Sequence, residues 1–277
     1  MLRDKLLARL AEMGGAPDHQ RLAAEVLGIR GAPADLARRL VQQALVVEDR
    51  RDLWRRAGER ICSAAPAAPG VYVLRDVEGR ALYVGKAVNL RRRLRAHFAE
   101  RRWRAIKPDM SRVADAEWTE VGSELEALVR EAALIDELQP AANVQIGAPA
   151  FDTRAIPPAL VHDVIVIVPS VEEDSAELVC ARADGGCTIQ RTRRNGADLA
   201  VHTRRVLRFF ASALRRGFDP APRAPIVFTW LARRGADATR LDPHDARSAR
   251  ELRSRLAALL ADSELFAERI DQRTHRW

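Results

Sequence analysis

Both tyrosines of the 277-residue chain, Tyr72 and Tyr83, lie in one stretch, PGVYVLRDVEGRALYVGKAVNLRRRLRAHF, residues 69–98. A phenol with a pKa of about 10 serves acid-base chemistry only when a neighbour lowers that value or shares its proton. Lys86 follows Tyr83 by three positions and, with Lys5 and Lys107, is one of only three lysines among 46 basic residues. Where a generic cation suffices this chain uses Arg, so a lysine close to a tyrosine needs its own reason, and a cation beside a phenol lowers its pKa. Arg93 and His97 then stand one helical turn apart. Further on, Glu131 interrupts an apolar stripe of Leu128, Ile135 and Leu138. A carboxylate there is costly unless it is paired or holds a metal, and from this helix alone a metal ligand and half of an Arg salt bridge are equally good readings.

These side chains need elements to hold them. Alternation predicts strands at VYVL and LYVG around RDVEGRA, whose Asp and Gly favour a turn centred between Val77 and Glu78. Pairing about that centre sets Tyr72 directly opposite Tyr83 and turns Val71, Val73, Leu82 and Val84 to the other face, against helices. As an ordinary aromatic cross-strand pair the tyrosines are worth about 0.2–1 kcal/mol. Gly85 and Lys86, just past the second strand, favour chemistry instead. NLRRRLRAHF reads as a helix with Asn89 as N-cap and Leu90, Leu94 and Phe98 inward; Ser123 and Glu126 form a capping box that opens the helix of Glu131. The order is strand, strand, helix, strand, helix.

Taken together, GVY at 70–72, YVG at 83–85 with Lys86, Arg93 with His97, Glu131, and QPAAN ending at Asn143 resemble the GIY-YIG endonuclease family. Within it the match is closest to the nuclease module of the UvrC-type excision-repair incision subunit, and the architecture also resembles exonuclease/GIY-YIG fusion proteins without the exonuclease. The resemblance implies a three-stranded antiparallel sheet flanked by helices and divalent-metal-dependent hydrolysis of a DNA phosphodiester, in DNA repair or processing. It implies that Tyr83 helps to deprotonate the attacking water with Lys86 favouring the phenolate, and that Tyr72 and Arg93 position and neutralise the phosphate. Glu131 would hold a single Mg²⁺ or Mn²⁺, Asn143 would support the site, and His97 fits the family's histidine. Phosphoryl transfer needs positioning and charge neutralisation, which agrees with such a set.

The net charge of +8 favours a polyanionic partner. Candidate DNA contacts are Arg91, Arg92 and Arg95 beside the site, and Arg38 and Arg39 on an N-terminal helix. Residues 1–61 read as three helices and a hairpin at LVVEDRRDLW, a winged-helix-like segment that would hold DNA or a partner. Residues 66–145 are the expected nuclease domain. Residues 150–277 read as a second α+β domain with strands at VHDVIVIVPS, AELVCARAD, CTIQRTR and PIVFTWLAR, helices over 196–215 and 245–270, Asp242 capping the latter, and no nameable motif. The expected fold class is therefore α+β, with a helical, winged-helix-like segment before the nuclease domain and a second α+β domain after it.

Cys62, Cys180 and Cys187 are odd in number and form no CxxC, which argues against a disulfide framework or a zinc ribbon and for a reducing compartment. With no signal peptide and no apolar run of bilayer length, the sequence predicts a cytoplasmic, nucleoid-associated protein with DNA and other repair proteins as partners and no membrane. Two rival readings remain: a winged-helix DNA-binding regulator with an inactive nuclease fold, and a restriction or defence nuclease.

Overall fold

The computed structural model describes residues 2–14, 17–46, 51–99, 108–144, 156–212, 223–234 and 238–264. The chain divides into two compact units, Met1–Arg56 and Ala57–Trp277.

The first unit contains α1 (Leu2–Met13), α2 (His19–Glu25), α3 (Ala34–Val46) and the start of α4 (Arg51–Ala64). Leu6, Leu22, Ala23, Ala37 and Val41 form its core, and Asp18 caps α2 by accepting from the Arg21 N–H. The hairpin expected at LVVEDRRDLW is not there: α3 and α4 are helical on either side of residues 47–50, which lie outside the described residues. Trp54, Ala57, Ile61 and Cys62 are buried at helical spacing, and that stripe overrides the strand preference of Val and Trp. Without a strand among its described residues the unit has helices but no wing.

In the second unit the first sheet has the order β2-β1-β3, all antiparallel, from β1 (Gly70–Arg75), β2 (Ala81–Ala87) and β3 (Asp115–Glu120). The expected register is displaced by two residues. Tyr72 faces Gly85 across the ladder and Tyr83 faces Leu74. An irregularity in the ladder makes the shift, since Arg75 pairs with Ala81 but Leu74 with Tyr83. Asp76 Oδ1 accepts from the N–H groups of Glu78 and Arg80 at 3.0 and 2.9 Å, and Gly79 closes the turn with φ of 79°. The turn itself is centred between Val77 and Glu78 as expected, with the Gly79 N–H donating to the Asp76 carbonyl at 3.0 Å, and Gly79 takes a conformation that only glycine adopts without strain.

Helix α5 (Leu90–Ala99) starts where Asn89 Oδ1 accepts from the Arg92 N–H, as expected, and buries Leu90 and Leu94. A Cβ on Gly58 of α4 would stand 2.8 Å from the ring of Phe98, so glycine lets that ring lie against the helix backbone. Helix α6 (Glu124–Leu138) covers the other face of the sheet, placing Ala127 and Ile135 on Val71, Val73 and Val84. The short α7 (Ala141–Val144) follows.

The second sheet has the order β6-β5-β4-β7, from β4 (Val164–Pro169), β5 (Ser175–Ala181), β6 (Cys187–Arg193) and β7 (Arg240–Leu241). Its faces alternate as strand geometry requires. Val164, Val166, Val179 and Ala181 meet α9 (Ala224–Arg234) and Leu125 and Val129 of α6, while Ile165, Ile167, Leu178 and Cys180 meet α8 (Leu199–Ala211) and α10 (Ala249–Ala261). PIVFTWLAR is thus helical: Ala224, Val227, Phe228 and Leu231 are buried at i, i+3, i+4 and i+7, so the helical period prevails over β-propensity. Ser248, and not Asp242, caps the last helix; Asp242 caps the short turn Pro243–Asp245. The outer parts of the two expected helices, 213–215 and 265–270, lie outside the described residues. All three cysteines are free thiols, and burial pushes Cys187 up to about 12. No helix among the described residues is long and apolar enough to cross a membrane.

A polar knot joins the sheets at the start of α6. Ser123 caps the helix, accepting from the Glu126 N–H at 3.1 Å, and donates to buried Glu177 of β5. Glu126 accepts from the Gly122 N–H at 2.7 Å, from Arg130 at 2.7 Å and from Arg191 of β6 at 2.9 Å. A Cβ on Gly122 would meet Glu177 Oε1 at 2.1 Å and Ser170 Oγ at 2.3 Å. Burial, and then the neighbouring Glu126, pushes the Glu177 carboxyl up to about 8. Glu126 stays below the ordinary range: burial opposes ionisation, but Glu177, the Gly122 N–H and Arg130 outweigh it. At neutral pH Glu177 holds the proton of the pair.

This knot fixes a pH dependence. The folded-state value of about 8 lies above the unfolded value of about 4.3, so the contribution of Glu177 to stability is full below the latter and is lost as pH rises through the former. Glu177→Gln keeps a neutral acceptor for Ser123. Its melting temperature, compared with that of the unaltered chain from pH 5 to 9, should gain steadily as pH rises; parallel curves would show that Glu177 is already ionised in the folded protein.

Candidate active site

The site grows from the tyrosine face of the first sheet. Because the strands alternate, Tyr72, Tyr83 and Gly85 share one side while Val71, Val73 and Val84 fill the core beneath α6. The displaced register makes the tyrosines diagonal neighbours: their ring centroids are 6.0 Å apart, tilted by 47°. His97, one turn before the end of α5, closes a triangle at 5.7 Å from the Tyr72 ring and 5.9 Å from that of Tyr83. Tyr72 Oη is hydrogen-bonded to His97 Nε2, with both residues buried.

Gly85 is what lets the rings meet. A Cβ there would lie 2.7 Å from both Tyr72 Oη and Tyr83 Cε1, inside any normal contact. Asn143 holds the same strand from outside, where a further strand would pair. Its Oδ1 accepts from the Val84 N–H at 2.7 Å and its Nδ2 donates to the Val84 carbonyl at 2.9 Å. Val84 lies between Tyr83 and Gly85, so α7 sets the position of the tyrosine-bearing strand through one side-chain amide.

Burial dominates the electrostatics. It holds the Tyr72 phenol well above its usual value, with Tyr83 adding to the rise and Arg93 opposing it. Burial also raises Tyr83; Arg93 counters it, and Glu131 adds to the rise. The cation acting most strongly on Tyr83 is therefore Arg93, one turn before His97, in place of the expected Lys86. Lys86 pairs across the ladder with Val71, on the α6 face, and works on Glu131. Burial raises the Glu131 carboxyl, while the Lys86 ammonium, the Lys86 N–H and then Arg93 favour its charged form. Both phenols are neutral at rest.

Glu131 suits a hard divalent cation: it is a half-buried oxygen donor disfavoured as a lone anion, and a bound cation would restore its charge. Among the described residues no group of three or more His, Cys, Asp or Glu could enclose an ion. A metal here would keep most of its ligands as water or substrate oxygen, as Mg²⁺ commonly does.

The structure thus brings Tyr72, Tyr83, Arg93, His97, Glu131 and Lys86 around the β2 end of the sheet, with Asn143 behind it. Of the candidate DNA contacts, Arg92 and Arg95 are exposed on α5. Arg91 Nε is committed to the Ala65 carbonyl at 2.7 Å. In the first unit Arg38 is 3.5 Å from Asp35, and Arg39 Nε reaches the Asp35 carbonyl at 3.4 Å. Sequence reasoning read Asp76 as a turn former, which it is, but not the salt bridge it makes to Arg80 at 2.9 Å. It missed Glu177 and Arg191, for which partners distant in sequence left no signal.

Residues 68–144 match the model of the UvrC-like GIY-YIG domain. The UvrABC system protein C of Desulforudis audaxviator (strain MP104C) is 43% identical over 79 residues, 28% of this chain and 13% of that protein. The protein of the same name from Thermobifida fusca (strain YX) is 45% identical over 84 residues, 29% of this chain and 12% of that protein. This chain therefore spans only 13% and 12% of the length of these two curated relatives. Among solved structures, the GIY-YIG N-terminal endonuclease domain of UvrC from Thermotoga maritima, bound to magnesium as its catalytic divalent cation, is 30% identical. It covers 30% of this chain and 91% of that one, with a TM-score of 0.27.

Two substitutions test how the site is held. Asn143→Leu leaves the Val84 N–H and C=O without their partner, each at about 1–3 kcal/mol if buried unpaired. Gly85→Ala forces the phenols apart, an overpacking that typically costs about 1–3 kcal/mol. Urea denaturation should show both variants less stable, with Gly85→Ala also altering tyrosine absorbance. Midpoints equal to that of the parent chain would mean that neither residue constrains β2.

Proposed function

On the premise that residues 68–144 are a UvrC-like GIY-YIG domain, we propose that this chain is a divalent-metal-dependent endonuclease that hydrolyses DNA phosphodiesters in repair or processing. The observation that carries the reading is the convergence of Tyr72, Tyr83, Arg93 and His97 with Glu131 around an unobstructed Gly85. A retained but inert fold has no need of a glycine held clear for two phenols or of a charge-disfavoured Glu131, which weighs against the regulator reading. A restriction or defence nuclease keeps this chemistry and changes only the DNA that is cut. The relatives are named UvrABC system protein C, and the proposal takes repair as the role of this chain, with other repair proteins as partners and the nucleoid as the place of action.

In the proposed reaction the oxygen of a water attacks phosphorus and the P–O3′ bond breaks with its electron pair on O3′, leaving a 5′ phosphate and a 3′ oxygen that takes a proton from solvent water to become the hydroxyl. Arg93 neutralises and orients the phosphate. Tyr83 holds the attacking water and accepts its proton. A neutral phenol does so only as it releases its own proton, and Tyr72, interacting with Tyr83 and hydrogen-bonded to His97 Nε2, offers that proton a way onward. Glu131 would hold Mg²⁺ or Mn²⁺, whose positive charge would stabilise the leaving oxygen. Lys86 favours the ionised form of Glu131 that would bind the metal, against the burial that raises the Glu131 carboxyl.

Nicking of supercoiled plasmid with and without Mg²⁺ or Mn²⁺ tests the reading. Glu131→Gln should fold, still bind DNA and lose nicking with either metal. Tyr83→Phe should slow cleavage by about 10²–10⁴ with little effect on DNA affinity. Cleavage at the parental rate by a stable Glu131→Gln protein would remove Glu131 from the mechanism and with it the metal site.

A further inference from the structure

Helix α8 presents a surface that the nuclease site does not use. It buries Leu199, His202, Thr203 and Val206 against the second sheet and turns Val201, Arg204, Arg205 and Arg208 outward, all four exposed. The helix has no acidic residue, and among the described residues none of the three arginines has a carboxylate partner. Neighbouring α10, on the same face of the sheet, adds exposed Arg250 and Arg253. Its one acid, Glu251, is already bound to Arg255 and to the Arg247 N–H.

Two arginines beside the second sheet are matched. Arg182 pairs with Asp184, and Arg191 with Glu126, Glu172 and Glu177. Arg204 and Arg208, one turn apart, repel each other and weaken the helix they stand on. A purely solvated face has no reason to keep that repulsion, whereas a face that receives a polyanion does.

We infer that the Arg204, Arg205 and Arg208 stripe is a second DNA-holding surface that takes the phosphodiester backbone of duplex lying away from the scissile bond. This inference rests on the nuclease reading above. Helix α6, which carries Glu131, and helix α8 lie on opposite faces of the second sheet, so the stripe cannot touch the reacting nucleotides. It holds a flanking arm. Contacts to phosphate position DNA without reading its sequence, so the stripe adds affinity and no sequence preference.

The test is binding of the full chain to a fluorescent duplex of about four helical turns and to one of about one turn over a range of KCl, by anisotropy. With Arg204→Gln, Arg205→Gln and Arg208→Gln combined, affinity for the long duplex should fall about tenfold or more. The slope of log affinity against log salt should flatten by about 2–3, since each phosphate that an arginine no longer neutralises removes about 0.9. Affinity for the short duplex should hardly change. Unchanged affinity and slope on the long duplex would overturn the inference, and an equal loss on both duplexes would overturn the flanking geometry. If the triple variant does not fold, Arg205→Gln alone should flatten the slope by about 0.9. Should the parent chain bind with the full salt slope yet cut no DNA, the nuclease reading fails while the stripe stands; should it cut DNA with a slope indifferent to these arginines, only the stripe fails.

Discussion

Two sheets share one helix, and the site depends on that arrangement. Helix α6 sets Ala127 and Ile135 into the core of the first sheet and Leu125 and Val129 into the core of the second. Glu131 and Glu126 leave the same helix. The helix of the proposed metal-binding carboxylate is therefore held by residues of the C-terminal sheet as much as by those of the first sheet. Burying Glu126 and Glu177 side by side is tolerable only because one keeps its proton and because Arg191, Arg130, Ser123 and the Gly122 N–H satisfy what remains.

Burial sets the resting charge state of the site. Tyr72, Tyr83 and Glu131 are all pushed toward neutrality, and Arg93 is the cation that opposes this at every one of them. Such a charge state suits the proposed chemistry, in which charge would arrive with substrate and metal. Lys86 acts across the strand, at the carboxylate, because its side chain alternates to the face opposite Tyr83 and Gly85.

The short-range parts of this architecture were legible in the sequence. Period-two alternation placed Val71, Val73 and Val84 inside and the tyrosines together, and Asn89 and Ser123 marked the helix starts where they occur. The turn centre was legible but the register was not, since an irregularity between Arg75 and Leu74 sets the pairing of the strands beyond it. PIVFTWLAR and LVVEDRRDLW misled for a common reason. Both contain strand-favouring residues, yet each also carries or adjoins a helical stripe that buries more apolar surface, and tertiary burial decides between such alternatives. Among the site residues, Asn143 could be named but its act could not, because its partner is a backbone amide 59 positions away.

Gly122 has a consequence for motion. Its N–H is held by Glu126, its carbonyl accepts from the Val171 N–H at 2.8 Å, and the space where a side chain would stand is filled by Glu177 and Ser170. A junction tied from all these directions cannot serve as a hinge, and sliding the sheets past each other would strand two buried carboxyls. The sheets therefore travel as one body, and any closing of the proposed nuclease around DNA would have to come from bending of the nucleic acid and not from movement at this junction.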